Sequence, residues 1–93
     1  MRTRPRLDRN QSEIVYSLRK AGASVQSLAA VGDGCPDLLV ARAGQMYLLE
    51  IKDGMQKPSA RQLTLDELRW HRFWNAPVYV VESSEQALKA IGL

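Results

Sequence analysis

The sequence predicts an α/β fold in which helices flank a central mixed sheet. Two observations support this fold class. Short apolar runs of strand length alternate with segments that carry helix signals, and their order is helix, three strands, helix, strand, helix. The chain has 93 residues, which is enough for one hydrophobic core, so we expect a single domain over residues 1–93.

The first helix and strand are predicted from local patterns. Apolar residues recur at helical spacing from about Asp8 to Ala21, and Gly22 supplies a stop. The short segment Ser24–Leu28 carries a β-branched residue and favours a strand. The glycine-containing segment 29–35 is typical of a loop.

A β-hairpin is predicted in the middle of the chain. Two apolar runs of strand length, Pro36–Ala41 and Met46–Ile51, are separated by a short link that contains Gly44. This arrangement is typical of two antiparallel strands joined by a tight turn. We therefore expect the start of the first strand to lie beside the end of the second.

Capping-box sequences open two further helices in the second half of the chain. One begins at Thr64 and runs to about Trp74, and the other begins at Ser83 and ends near Gly92. Between them, Pro77–Val81 is rich in valine and tyrosine and favours a strand. These elements complete the predicted order.

Composition excludes several classes of protein. Cys35 is the single cysteine, which excludes an internal disulfide bond and a cysteine-based zinc site. No apolar run approaches the roughly 20 residues that span a membrane, and no secretory signal is recognised. We expect a cytoplasmic protein of a bacterial or phage-infected cell, without a membrane partner.

Basic residues are concentrated in two segments. The first nine residues form a basic arm in which four arginines face one acid, and the connector after the hairpin carries two more cations. Such segments favour contact with the phosphates of a nucleic acid, although a solvated terminus and a solvated loop explain them equally well. The residues expected to bind DNA are Arg2, Arg4, Arg6, Lys57 and Arg61.

Charged side chains converge at one end of the hairpin. Because side chains alternate along a strand, Glu50 and Lys52 share one face while Ile51 points to the other. Asp37 stands at the start of the neighbouring strand, so the hairpin brings it beside Glu50. The pattern predicts two adjacent carboxylates with a lysine two residues along the strand.

This arrangement is suited to the hydrolysis of phosphodiester bonds. Two adjacent carboxylates repel each other and favour a divalent cation, and their hard oxygen ligands suit Mg²⁺ or Mn²⁺. Lys52 is placed to orient a water molecule and to stabilise charge on the phosphorus, and the carbonyl of Ile51 offers a further ligand. The alternative is that Asp37 caps the loop and that Glu50 and Lys52 form an exposed ion pair.

The motifs resemble those of a known nuclease superfamily. The two ends of the hairpin carry Gly34-Cys35-Pro36-Asp37-Leu38 and Glu50-Ile51-Lys52, which look like the PD-(D/E)XK signature. More closely, the chain resembles the virus-type replication-repair nuclease (VRR-Nuc) domain, found in bacteriophages and in Fanconi-associated nuclease. The likeness extends from the helix start at Asn10 to Leu88.

The resemblance implies a restriction-endonuclease-like α-β-β-β-α-β-α core. It also implies a Mg²⁺- or Mn²⁺-dependent DNA endonuclease that acts as a homodimer and prefers branched DNA, such as the four-way Holliday junctions of DNA repair. Two alternatives remain. One is a flap nuclease, exonuclease or restriction-type enzyme, and the other is an inactive DNA-binding module of the same fold.

The family's functional residues are carried over one position at a time. Asp37 and Glu50 match the metal-binding acids, and Lys52 matches the catalytic lysine. Family members also carry a metal-site acid on the first helix. Glu13 matches that position, and Gln11 is the alternative.

The helix that follows the hairpin departs from the family pattern. Glu67 stands where the family often has glutamine, and it is expected either to cap the helix or to contribute to catalysis, because it shares a helical stripe with Trp70 and Trp74. His71 is interpreted as a surface or rim residue. The aromatic residues Trp70, Phe73 and Trp74 are interpreted as core or dimer contacts.

Overall fold

A computed structural model describes residues 9–93 of the chain. The predicted DNA-binding residues Arg2, Arg4 and Arg6 lie outside this range, as does the predicted helix start at Asp8. Within residues 9–93, no helix is long and apolar enough to cross a bilayer.

The described residues form three α-helices, four β-strands and one short 3-10 helix. In chain order these are α1 (Gln11–Lys20), β1 (Ser24–Ser27), β2 (Leu38–Arg42), β3 (Gln45–Ile51), the 3-10 helix (Pro58–Arg61), α2 (Leu65–Phe73), β4 (Val78–Val81) and α3 (Ser84–Ala90). The order of helices and strands confirms the predicted fold class. Several strand boundaries differ from the predicted ones by one or two residues; β2, for example, begins at Leu38 and excludes Pro36, which has no amide hydrogen to donate to the sheet.

The four strands form one mixed sheet in the order β1-β2-β3-β4. β2 is antiparallel to both β1 and β3, whereas β4 runs parallel to β3. In the predicted hairpin, Leu38 lies opposite Leu49, and the turn contains Ala43 and Gly44 at φ angles of 51° and 77°. This register places the start of β2 beside the end of β3, as expected.

The hydrophobic core lies between one face of the sheet and the helices α1 and α3. Alternate residues of β2 and β3 point into it, and they meet the apolar side of α1. The fully or almost fully buried members are Ile14, Leu18, Leu38, Val40, Leu49, Ile51, Val81, Ala87 and Ile91. Because strand side chains alternate, burial of Leu49 and Ile51 directs Glu50 and Lys52 to the opposite face.

Helix α2 flanks that opposite face and leaves much of its surface exposed. Its first turn has the predicted capping box, in which the Glu67 amide donates to Thr64 Oγ1 (3.2 Å) and the Thr64 amide donates to Glu67 Oε1 (2.8 Å). Trp70 and Trp74 stack with ring centroids 4.5 Å apart. Phe73 is 84% exposed and Trp74 is 48% exposed, so neither belongs to the core, and their alternative role as dimer contacts stays a prediction.

Candidate active site

Three segments bring charged side chains to one end of the sheet: the residue before β2, the end of β3 and helix α2. Backbone hydrogen bonds hold Asp37 in place, because its amide donates to the carbonyl of Leu49 (3.0 Å) and its carbonyl accepts from the amide of Leu28 (2.8 Å). The carboxylate of Asp37 accepts a hydrogen bond from the amide of Ile51 (2.6 Å). Asp37 is thus bonded to β3 and to Leu28, the residue after β1.

Glu50 lies at the centre of the cluster and is 1% exposed. Burial, the hydrogen bond and negative charge of Asp37, and a smaller effect of Glu67 together raise its pKa to about 10, against an opposing effect of Lys52. Glu50 therefore holds a proton at neutral pH when no cation is present. If Glu50 were ionised, its buried negative charge would lie beside Asp37 without enough positive charge nearby to balance it.

Lys52 is held by an acid on the neighbouring helix. Its Nζ atom lies 2.7 Å from Glu67 Oε1, and both side chains are largely buried. Burial raises the pKa of Glu67, but the hydrogen bonds from Lys52 and from the Thr64 amide outweigh this effect and leave the pKa below its ordinary value. Glu67 thus caps α2 and also belongs to the cluster, so the two predicted roles coexist.

His71 is a member of the cluster that the sequence interpretation missed. Its Nε2 atom lies 3.1 Å from Glu50 Oε1. Burial lowers the pKa of His71, and Lys52 lowers it further, against an opposing effect of the nearby acids. The available signal was the spacing of Glu67 and His71, which are four residues apart and so share one face of α2.

The loop before β2 contacts α2 through Gly34. This residue has a φ of 82°, and a Cβ atom there would overlap the backbone carbonyl of Asp66 in the first turn of α2. Glycine thus permits a direct approach between the backbone of the loop and that of the helix. The contact fixes the position of α2 relative to Asp37.

The structure places Glu13 away from this cluster. Glu13 is exposed and lines a separate cavity together with Asp53 and Glu82. It precedes Ile14, which points into the core, and a helix turns by about 100° per residue, so Glu13 faces outward. Gln11, the alternative, is 6% exposed on the buried side of α1. The expectation that Glu13 joins the metal-binding acids is therefore not supported by its position.

The remaining candidate residues are placed as follows. Ile51 is fully buried and enters the cluster through its amide, and the binding of a metal ion by its carbonyl stays a prediction. Lys57 is exposed in the connector. Arg61 pairs with Glu82 at 3.3 Å, which ties the connector to the end of β4.

The donor set of Asp37 and Glu50 suits a hard divalent cation. Mg²⁺ keeps several of its waters and commonly binds through only one or two protein carboxylates. Without a cation, the proton on Glu50 removes the repulsion between the carboxylates of Asp37 and Glu50. A bound cation would remove the same repulsion. Within residues 9–93, no group of three or more His, Cys, Asp or Glu side chains is arranged to bind a metal ion. A cation held by Asp37 and Glu50 alone would keep several of its waters.

An apolar groove of about 580 Å³ lies next to the cluster. The exposed face of the sheet forms one wall, and the stacked rings of Trp70 and Trp74 form the other. The apolar or aromatic residues along it include Leu39, Met46, Leu48, Trp70, Trp74 and Tyr79. Cys35 also lines this groove. Burial raises the pKa of its thiol, and the nearby charges of Glu50 and Asp37 raise it further.

The mixed four-stranded sheet, its flanking helices and the acidic pair beside Lys52 define an α/β domain of the nuclease type. No family model matches the chain, and no curated protein matches it. A solved structure titled "VRR_NUC domain" superposes on it with a TM-score of 0.62 and 29% sequence identity, over 88% of this chain and 94% of the other. The similarity confirms the resemblance to the VRR-Nuc domain and supports a nuclease domain of the PD-(D/E)XK type.

Proposed function

We propose that the protein is a Mg²⁺- or Mn²⁺-dependent DNA endonuclease that acts as a homodimer on branched DNA such as four-way junctions. The observation that carries the proposal is the contact between the carboxyl group of Asp37 and the buried carboxyl group of Glu50, with Lys52 held two residues further along the chain, directly after β3. A domain that only binds DNA has no use for an acidic pair, since the pair would repel phosphates.

Each residue of the cluster has a distinct part in the proposed hydrolysis. Asp37 and Glu50 would hold the cation, which supplies polarisation of a phosphoryl oxygen and lowers the pKa of a bound water. The Lys52 ammonium group stabilises the negative charge that develops on the phosphate. Glu67 keeps that group in position and carries the charge that balances it.

Binding of DNA is assigned to the basic segments. We propose that Arg2, Arg4 and Arg6 of the basic arm contact the phosphate backbone, together with Lys57 of the connector. Arg61 can join them only by leaving or sharing its ion pair with Glu82. These contacts position the duplex without reading its sequence.

The proposed homodimer uses the apolar groove and its surroundings. Met46 is 68% exposed on the open face of the sheet, and it borders the same groove as Trp74 of α2. The exposed face of the sheet around Met46 and the surface of α2 around Trp74 therefore border one apolar groove. A two-fold dimer presents two active sites, which suits the paired incisions that a four-way junction requires. The proposed place of action is the cytoplasm of a bacterial or phage-infected cell.

A substrate panel tests the proposal. Labelled four-way junction, flap and linear duplex are each incubated with the protein in Mg²⁺, in Mn²⁺ or in EDTA. We expect paired cuts in the junction with either cation and none in EDTA. Preferential cutting of the flap or of duplex ends would assign one of the alternative nuclease activities. Junction binding without cleavage under any condition would identify an inactive DNA-binding module.

A further inference from the structure

Glu50 of β3 and Lys52, the residue after β3, each have a partner on α2, and the spacings along the two segments match. Two residues along a strand span about 6.7 Å, and four residues along a helix span about 6 Å. Glu50 and Lys52 are two apart along the chain, whereas His71 and Glu67 are four apart on the helix. Lys52 thus meets Glu67 at 2.7 Å while Glu50 meets His71 at 3.1 Å.

The contact between His71 and Glu50 is shielded from water. The side chain of His71 is 13% exposed and that of Glu50 is 2% exposed. The Trp70 ring lies edge-on to the imidazole, with centroids 6.4 Å apart. A hydrogen bond in such surroundings fixes an orientation more firmly than one at an exposed surface, because little water competes for either group.

We propose that His71 is a positioning residue for the nuclease reaction, which holds one carboxylate oxygen of Glu50 so that the other is presented to the cation shared with Asp37. Nε2–H donates to Oε1 and prevents rotation of the carboxylate. Loss of a residue that bonds to a metal-binding carboxylate or imidazole typically lowers metal affinity or activity by about 10- to 100-fold. The inference rests on the proposed function, because it assigns the carboxylate of Glu50 to a divalent cation.

Two substitutions of His71 separate this role from simple packing. In His71→Gln the amide nitrogen reaches almost as far as the imidazole Nε2 atom and still donates. In His71→Asn the side chain is equally polar, but its amide falls short of Glu50. A third variant, Arg72→Ala, changes an exposed residue of the same helix and serves as the control for metal binding.

The measurement is the affinity of the DNA-free protein for Mn²⁺, followed by the electron paramagnetic resonance signal of the free ion. We expect His71→Asn to weaken binding at least about tenfold, and His71→Gln and Arg72→Ala to remain within about threefold of the unmodified protein. In the same preparations, junction cleavage by His71→Asn should recover when Mn²⁺ is raised, with an unchanged KM for DNA.

Equal Mn²⁺ affinity of the asparagine and glutamine variants would overturn the inference and leave the proposed function intact. The conclusion is the same if both variants bind Mn²⁺ as tightly as the unmodified protein or if both bind it more weakly. In either case the affinity would not depend on whether the side-chain amide reaches Glu50. If the unmodified protein itself binds no Mn²⁺ and cleaves no DNA, the proposed function fails and the inference fails with it.

Discussion

At the scale of single residues, the buried Glu50 beside Asp37 makes the metal-free protein sensitive to pH. Glu50 has a pKa of about 10 in the folded state against an ordinary value of 4.5. Between these values the folded state binds a proton that the unfolded state has released, so folding stability falls as pH rises. The folding stability that protonated Glu50 contributes is fully present below about pH 4.5 and is lost progressively as pH rises toward 10.

Glu50→Gln should therefore stabilise the metal-free protein at alkaline pH. Glutamine keeps the shape of protonated Glu50 and does not titrate, so the variant lacks this dependence on pH. Thermal unfolding in EDTA should show a Tm above that of the unmodified protein by about 5 °C or more at pH 8, which corresponds to roughly 1 kcal/mol. The two proteins should converge near pH 4. Parallel curves across the whole range would show that Glu50 is not held in its protonated form.

At the scale of structural elements, the glycine loop and α2 depend on each other. Gly34→Ala should destabilise the fold by about 2 kcal/mol or more, because a Cβ atom adds a clash with the Asp66 carbonyl to the strain of a positive φ. Gly32→Ala is the matched control. Gly32 also has a positive φ, of 75°, but a Cβ atom there has nothing within 4 Å.

Chemical denaturation of both alanine variants measures the difference. Gly32→Ala should cost about 1 kcal/mol, from backbone strain alone. Gly34→Ala should also reduce cleavage in conditions where it remains folded, because α2 carries Glu67 and His71. Equal stabilities of the two variants would contradict the importance of the contact between the loop and α2.

The elements themselves were largely predictable, because each has a local signal. The hairpin followed from two apolar runs and a glycine turn, and its antiparallel register brought Asp37 to Glu50. The capping box at Thr64 located the start of α2. Such signals depend on neighbours within a few residues of each other in the sequence.

What could not be predicted depends on how α2 packs in space. The sequence around Trp74 does not show whether its side chain is buried in a core or exposed, because an amphipathic stripe can face a sheet, a partner or solvent. The pairing of His71 with Glu50 needs the distance between α2 and β3, which only the tertiary structure gives. Burial of Ile14 and Leu18 fixes which side of α1 faces the core, and the side chain of Glu13 therefore points outward.

At the scale of the whole molecule, the exposed apolar area around the groove is consistent with the proposed homodimer. Large contiguous apolar patches are uncommon on monomers and commonly mark interfaces. Met46→Glu should convert the dimer to a monomer, because it buries a charge in the contact between subunits. Tyr16→Glu is the control, since Tyr16 is 65% exposed on α1 and Met46 is 68% exposed on the opposite face of the sheet.

Sedimentation at micromolar concentration distinguishes the two variants. We expect a dimer for the unmodified protein and for Tyr16→Glu, and a monomer for Met46→Glu. The monomer should nick junctions without the paired cuts of the dimer. A monomeric unmodified protein that still makes paired cuts would remove the dimer from the proposal and leave the nuclease assignment in place.

The most direct test of the central claim separates cleavage of a four-way junction from binding in Asp37→Asn and Lys52→Ala. Both variants should lose cleavage by about 100-fold or more in Mg²⁺ or Mn²⁺, because the first removes a cation ligand and the second removes the charge beside the phosphate. Both should bind the junction in EDTA within a few-fold of the unmodified protein, since most of the affinity comes from other basic residues. Cleavage by either variant at the unmodified rate would contradict the account and reduce the cluster to a structural feature.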